Sequence, residues 1–285
     1  MCAKCFKNIW FSILLMGMML PVQAAPKAQS VTLSTQDGWK LAAEYQPATT
    51  KETTVILLHD FGKKKEEFTS FERALVKMGF GYLAVDLRGH GQSTGNGEYK
   101  KFAREGADNP FNQMVQDGQT AVSFLRSKGI SLDQIILLGT GLGANVAAKT
   151  AQLVPDVNGI ALISPNVNIR DVLPVPALRT YKGAVLIAAS AGDRKGFLEA
   201  SILRNVAFLT AGEGNVTFLT AYDFTGHELL DKYITQSVVQ WIGTPRKPES
   251  APDVKAASLQ PHTGVQRSQT ASQTEQALVP SVLLD

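Results

Sequence analysis

The segment Gln134-Ile-Ile-Leu-Leu-Gly-Thr-Gly-Leu-Gly-Ala-Asn-Val-Ala-Ala-Lys149 decides the fold of this 285-residue chain. It begins with an apolar, partly β-branched run over residues 135–138. Glycine follows at every second position: Gly139, Gly141 and Gly143. Small helix-forming residues come next. This order is typical of a buried strand, a tight turn and a helix that packs closely against the strand.

The chain on both sides of this segment alternates between apolar strands and amphipathic helices. Further strands are predicted at residues 31–34, 40–45, 53–58, 81–86, 159–164, 184–189 and 216–221, and the first two form a hairpin at a sheet edge. Helices are predicted at residues 66–78, at 110–128, directly after Gly143, and from about His227 to about Trp241. Such alternation predicts an α/β fold with a mostly parallel central sheet and helices on both faces.

The two long predicted helices each carry a clear apolar face. We expect the first to turn Phe68, Phe71, Leu75 and Met78 towards the core. We expect the second to do the same with Met114, Ala121, Val122 and Leu125.

Composition excludes several classes of function. The chain is 44% hydrophobic and 19% charged, as expected for a globular domain with a sizeable core. The net charge is only +3 and the basic residues are scattered, so nucleic-acid binding is not expected. The four histidines show no zinc-type spacing, and we expect neither a metal nor a cofactor. The only cysteines, Cys2 and Cys5, provide no disulfide framework for the domain.

Both ends of the chain differ from the domain between them. Lys4 and Lys7 precede an apolar run over residues 9–20 and a small-residue end, the pattern of a secretory signal peptide over residues 1–24. The run is too short for a membrane span, which needs about 20 apolar residues. We therefore expect export to the periplasm or the medium, with no stable membrane span after cleavage. Residues 25–244 form the predicted domain, and the Pro/Ser/Gln/Thr-rich residues 245–285 a disordered tail.

Several motifs in their order along the chain resemble the α/β-hydrolase superfamily. His59-Asp60-Phe61-Gly62 is similar to the family's oxyanion loop, and the segment Asp86-Leu-Arg-Gly-His-Gly-Gln-Ser93 to the Asp-x-Arg-Gly-x-Gly-x-Ser segment after the next strand. The Gly139–Gly143 pattern resembles the G-x-S-x-G nucleophile elbow. The compact esterases related to serine aminopeptidases and dienelactone hydrolases are the members it is most similar to, so no separate lid domain is expected.

The resemblance implies a role for five residues. His227 stands where the family has its general base, and Asp193 where it has the carboxylate that orients that base, with Asp223 as the fallback. The backbone amides of Phe61 and Leu142 correspond to the oxyanion hole. Gly141 takes the position of the nucleophilic serine.

Two positions depart from the family pattern. Gly141 provides no hydroxyl, and neither Thr140, Ser164 nor Ser93 is aimed as the central elbow residue would be. Asp60 replaces a usual glycine. Its carboxylate could point to solvent, repel a developing oxyanion, or occupy the oxyanion donors itself.

These departures favour a serine-hydrolase homologue with lost or much reduced activity that binds a small ester- or amide-like ligand, or a protein partner, through the old pocket. One alternative is an active carboxylesterase or peptidase-like enzyme in which His227 and Asp193 activate water directly. Another is a non-enzymatic binding protein whose tail is the interaction element.

Overall fold

Eight strands form a single sheet in the computed structural model, which describes residues 27–106 and 108–244. The strands are β1 Gln29–Ser34, β2 Lys40–Gln46, β3 Thr54–Leu58, β4 Gly81–Val85, β5 Ile135–Thr140, β6 Gly159–Ile163, β7 Ala184–Ser190 and β8 Val216–Ala221. Their order across the sheet is β1-β2-β4-β3-β5-β6-β7-β8. Strands β1 and β2 form the predicted antiparallel hairpin at one edge, and the six strands from β4 to β8 are parallel to one another.

Seven α-helices within the described ranges accompany the sheet: α1 Thr69–Lys77, α2 Val115–Ser127, α3 Leu142–Leu153, α4 Val175–Leu178, α5 Arg194–Ala211, α6 Gly226–Leu229 and α7 Thr235–Ile242. Short 3-10 turns over residues 65–68 and 112–114 lead into α1 and α2. Only α4, four residues long, lies between β6 and β7. The predicted α/β-hydrolase architecture without a separate lid domain is therefore confirmed.

Each face of the sheet buries its own hydrophobic core because successive strand residues point to opposite faces. Leu58 of β3 packs into the core formed with α2, α3 and α5, whereas its neighbour Leu57 packs into the core formed with α1, α6 and α7. The parallel strands β3, β4, β5 and β6 are buried along their length, so their sequences are largely continuous apolar runs, whereas the edge strand β8 is only partly buried.

Close packing of α3 on the sheet depends on two glycines. A Cβ on Gly143 would lie 1.9 Å from the carbonyl oxygen of Leu58 in β3, and a Cβ on Gly139 would lie 2.2 Å from the backbone of Gly143. Both contacts are with backbone, which cannot rotate away. The elbow sequence therefore brings the start of α3 against the ends of β3 and β5.

Three details differ from the predictions. Met78 is 50% exposed, not buried, because α1 ends at Lys77 and the chain turns before Met78 can complete the apolar face. The last predicted helix is three consecutive pieces, α6, a π-helical turn over residues 230–234, and α7. Helix α5 was not predicted, because few of its residues are buried and apolar residues such as Leu209, 85% exposed, break its pattern.

The predicted signal peptide (1–24) and C-terminal tail (245–285) lie outside the described residues and stay predictions. Within the described ranges, every helix is too short or too polar to cross a bilayer.

Candidate functional site

Gly141 forms the turn between β5 and α3, at the carboxyl edge of the sheet where ligands bind in open α/β folds. Its φ of +48° lies in the left-handed region, which glycine adopts without steric cost. The Gly141 N–H donates to the carbonyl of Ile163 over 2.9 Å, and its own carbonyl accepts from the N–H of Ala144 over 3.1 Å. These bonds tie the turn to β6 on one side and to the first turn of α3 on the other.

The carboxylate of Asp60 lies directly over this turn. Its Oδ1 accepts hydrogen bonds from the N–H of Phe61 at 2.6 Å and from the N–H of Leu142 at 2.8 Å. These are the two amides that the resemblance implies as oxyanion donors. A Cβ added to Gly141 would lie only 1.9 Å from the same oxygen. The Asp60 carboxylate therefore fills the space that any side chain at position 141 would need.

Burial and the two amide donors act on Asp60 in opposite directions. Burial raises the pKa of the carboxyl group above its ordinary value, while the Leu142 and Phe61 amides, Lys63 and His227 all favour the charged form. The other carboxylate oxygen, Oδ2, points away from the amides towards Gly226, at 3.8 Å from where a Cβ on that glycine would stand.

Glu67 holds the Asp60 loop against β5. Its Oε1 accepts from the N–H of Asp60 at 3.0 Å and from the hydroxyl of Thr140. The side chain is only 4% exposed, and Oε2 has no hydrogen-bond partner among the described residues. Burial raises the pKa of Glu67 to about 7. Because the Thr140 hydroxyl donates to Glu67, it takes part in a structural hydrogen bond.

His227 is the second residue of α6. Its Nδ1 lies 3.9 Å from Oε2 of Glu67, and its side chain is 30% exposed. Gly226 before it, at a φ of +56°, donates its N–H to the hydroxyl of Ser164 at 2.8 Å. The carboxylate beside the imidazole is therefore Glu67, a residue that the sequence patterns did not single out, because an acidic residue on a predicted amphipathic helix gives no signal of its own.

Asp193 has a different partner. It is the N-cap of α5, and its Oδ1 accepts from the N–H of Gly196 at 3.0 Å. The hydrogen bonds and ion pairs of residues 27–106 and 108–244 include none between Asp193 and His227. Asp223 is exposed on the segment that follows β8.

A cavity of about 120 Å³ opens over Gly141. It brings together Asp60, Gly141 and Asp193 with polar groups from the neighbouring strand ends, among them Ser164 and Ser190. His227 does not line it. It borders a separate depression instead, together with Lys63, Glu66, Glu67 and Tyr99. Among the described residues, no group of three or more His, Cys, Asp or Glu side chains could hold a metal ion.

The Asp86–Ser93 segment is fixed near the site by buried hydrogen bonds and ion pairs. The buried Asp86 carboxylate accepts from the backbone N–H of Lys65 at 2.8 Å and of Gln92 at 2.9 Å, and pairs with the Lys65 ammonium at 3.1 Å. Arg88, 1% exposed, pairs with the fully buried Asp117 at 2.6 Å and with Asp37 at 2.6 Å.

His59 is also structural. Its Nδ1–H donates to the carbonyl of Asp60 at 2.8 Å, and its Nε2 accepts from the N–H of Leu87 at 3.0 Å. Complete burial lowers the pKa of His59 to about 4, so the ring stays neutral near pH 7 and fixes the loop that carries Asp60.

The fold agrees with what the chain is similar to. Comparison with protein families matches residues 49–205, more than half of the chain, to the family described as serine aminopeptidase, S33. The chain belongs to this family. The S33 match covers the five strands β3 to β7 together with the elbow, but ends before β8 and His227.

Among individual proteins, the S33 chain is 29% identical over 189 residues to a multifunctional-autoprocessing repeats-in-toxin of Vibrio vulnificus, covering 62% of this chain. It is 28% identical over 207 residues to the corresponding toxin of Vibrio cholerae, covering 66% of this chain. The chain spans only 3% and 4% of the length of these two curated relatives.

Solved structures show the same fold at low sequence identity. An esterase of Pyrococcus furiosus superposes with a TM-score of 0.63 at 16% identity, covering 76% of this chain and 91% of the esterase. An esterase domain from Rhodothermus marinus superposes with a TM-score of 0.57 at 16% identity, covering 76% of this chain and 98% of the domain.

Proposed function

We propose that this S33-family protein is a serine-hydrolase homologue that has lost acyl-transfer activity and keeps the site as a small ligand-binding cavity. One observation carries the proposal: Oδ1 of Asp60 accepts both the Phe61 and the Leu142 N–H, at 2.6 and 2.8 Å, while standing where a side chain at Gly141 would begin. The same carboxylate thus excludes a nucleophile and occupies the donors that an oxyanion would need.

Either change alone would severely impair ester hydrolysis. Loss of the nucleophilic serine costs about a millionfold in turnover in a well-studied serine protease. Loss of one oxyanion donor costs about 10²–10³-fold. A neutral ester carbonyl is a weaker acceptor than a carboxylate, so a substrate would not displace Asp60 from two charge-assisted hydrogen bonds.

The positions of the other two implied residues also favour lost activity. A histidine base needs a carboxylate on its second ring nitrogen and access to the reacting atoms. Asp193 caps α5, and His227 lies beside Glu67 and outside the cavity over Gly141. The alternative of a hydrolase in which His227 and Asp193 activate water therefore has less support.

The chemistry of the cavity limits what it would hold. Two carboxylates, Asp60 and Asp193, line it together with the hydroxyls of Ser164 and Ser190. Acidic and hydroxyl groups favour a ligand that donates hydrogen bonds, and at about 120 Å³ the cavity admits only a small group. We therefore propose an amide or amine end of a ligand as its occupant, in preference to an ester, which has no N–H.

The location of the protein is a separate proposal. The basic start, apolar run and small-residue end of residues 1–24 support export to the periplasm or the medium.

Hydrolysis of p-nitrophenyl acetate tests the function. We expect the wild-type rate to match that of the His227→Ala variant. We also expect the single variant Gly141→Ser to stay inactive, because the displaced Asp60 carboxylate stays beside the serine and repels a developing oxyanion. The double variant Asp60→Gly/Gly141→Ser frees the space and the two amides. We expect a burst of p-nitrophenol from this variant alone, and a small one, because His227 lies outside the cavity over Gly141.

Two results would contradict the proposal. Wild-type turnover that falls in both His227→Ala and Asp193→Asn would show a water-activating hydrolase. A full burst from Gly141→Ser alone would show that Asp60 does not block the site.

A further inference from the structure

A second cavity is lined in part by Phe61, the residue that follows Asp60. We call it the basic aromatic pocket; its lining is Phe61, Tyr99, Lys100, Phe102, Arg104, Phe111 and Arg170. Its volume is about 320 Å³, at the lower end of the range for small-molecule sites. It shares no lining residue with the cavity over Gly141.

The aromatic walls of the basic aromatic pocket hold one another in place. The Phe61 ring meets Tyr99 edge to face at a centroid distance of 5.2 Å and lies 5.7 Å from Phe111. Phe102 meets Phe111 edge to face at 5.3 Å. Tyr99 is in turn stacked on the buried His90 at 4.1 Å. Rings locked in this way form a pocket before any ligand arrives, which lowers the entropic cost of binding.

The charged residues of the basic aromatic pocket are all cations. The Arg170 guanidinium stands 5.1 Å from the centroid of the Phe61 ring, and the Lys100 ammonium 6.0 Å from that of Tyr99. Arg104 is exposed at the rim. The ion pairs found among the described residues include none of these three side chains. Their charges are therefore available to a ligand.

Arg170 is also held at the pocket by its backbone. Its φ of +54° is uncommon for a non-glycine residue, and the side-chain amide of Asn109 donates to its carbonyl at 3.2 Å. Asn109 is itself only 2% exposed, so a buried side chain fixes the loop that presents the guanidinium.

We propose that the basic aromatic pocket is a binding site for a small aromatic carboxylate. The ring would pack against Phe61, Phe102 and Phe111. The carboxylate would accept from Arg170, whose planar fork matches two carboxylate oxygens, with Lys100 and Arg104 adding attraction at the rim. The proposal does not depend on the loss of catalysis, since the Asp60 carboxylate is absent from this lining.

Calorimetric titration of the purified chain with four probes tests the proposal. Benzoate carries both an aromatic ring and a carboxylate. Benzyl alcohol and benzylamine keep the ring without the negative charge, and acetate keeps the negative charge without the ring. We expect benzoate to bind at least about tenfold more tightly than the other three, the equivalent of one charge-assisted hydrogen bond.

Matched variants locate the binding. Arg170→Gln should weaken benzoate binding about tenfold and remove the preference over benzyl alcohol. Arg126→Gln, an exposed arginine on α2 outside the pocket, is the control and should leave binding unchanged. Circular dichroism checks that each variant is folded. The proposal is overturned if benzoate does not bind, if acetate binds equally well, or if both arginine variants have the same effect.

Discussion

Replacement of Gly141 by alanine gives a direct energetic measure of the contact between the elbow and Asp60. Two separate costs follow from the structure. Alanine at a φ of +48° is strained by about 1–3 kcal/mol. Its Cβ, at 1.9 Å from Asp60 Oδ1, also displaces the carboxylate, so that it keeps only one of its two hydrogen bonds to the Phe61 and Leu142 amides. A hydrogen bond to a charged group contributes about 1.5–3 kcal/mol, so the total loss should be about 2.5–6 kcal/mol.

The two costs can be separated by repeating the substitution in an Asp60→Gly background. There the carboxylate is absent, and only the backbone strain of about 1–3 kcal/mol remains. The double-mutant cycle should therefore show a coupling of about 1.5–3 kcal/mol between positions 60 and 141.

Urea unfolding followed by circular dichroism gives the four free energies of unfolding. Additive effects, with a coupling below about 0.5 kcal/mol, would refute the reasoning, because they would mean that the carboxylate does not occupy the space above Gly141.

Three further substitutions test other parts of the structure. Glu67→Gln should flatten the pH dependence of stability. The pKa of Glu67 is about 7 in the folded and near 4.5 in the unfolded protein, so the wild type should lose stability as the pH rises from 4.5 to 7. Urea unfolding of both proteins across that pH range measures the difference. Asp117→Asn leaves the buried Arg88 with Asp37, which is partly exposed, as its only charged partner, and should lower the free energy of unfolding in guanidinium by about 3 kcal/mol. The control Asp37→Asn should cost less than about 1 kcal/mol, and an equal cost for both variants would count against the buried pair. Gly143→Ala places a Cβ 1.9 Å from a backbone carbonyl of β3 and should lower stability by about 3 kcal/mol or more, whereas a thermal midpoint like that of the open-space control Gly214→Ala would contradict the packing.

The fold could be predicted from the sequence because its signals are local. Apolar runs such as residues 135–138 and glycines such as Gly143 specify buried strands and a close helix whatever surrounds them. Helix α5 was not predicted because the apolar periodicity of its sequence is weak: Leu198 and Leu209 are exposed, and only Ala200, Leu203 and Ala207 are buried. The prediction that Met78 faces the core was wrong. The end of helix α1 decides where this side chain points, and that end depends on the turn that follows.

The site was harder to predict because it depends on contacts between distant segments. Motif order pointed to Gly141 and to the Asp60 loop, and left three orientations open for the Asp60 carboxylate. Only the folded chain brings Asp60 and Leu142, 82 positions apart, within 2.8 Å. The position of Glu67 between Thr140 and His227 likewise depends on how the turn over residues 65–68 packs on β5. For Asp193, a local helix-capping bond to Gly196 competes with a long-range contact to the histidine.

The central claim is that Asp60 holds the amides of both Phe61 and Leu142, and amide NMR across a pH titration tests it most directly. Phe61 follows Asp60 in sequence and would sense its charge in any case, so Leu142 is the decisive signal. The amide proton of Leu142 should shift with the same midpoint as that of Phe61, above the ordinary aspartate value, since burial raises the pKa of Asp60. In Asp60→Asn this common titration should vanish. A Leu142 resonance that is insensitive to pH in the wild type, or that titrates unchanged in Asp60→Asn, would contradict the account.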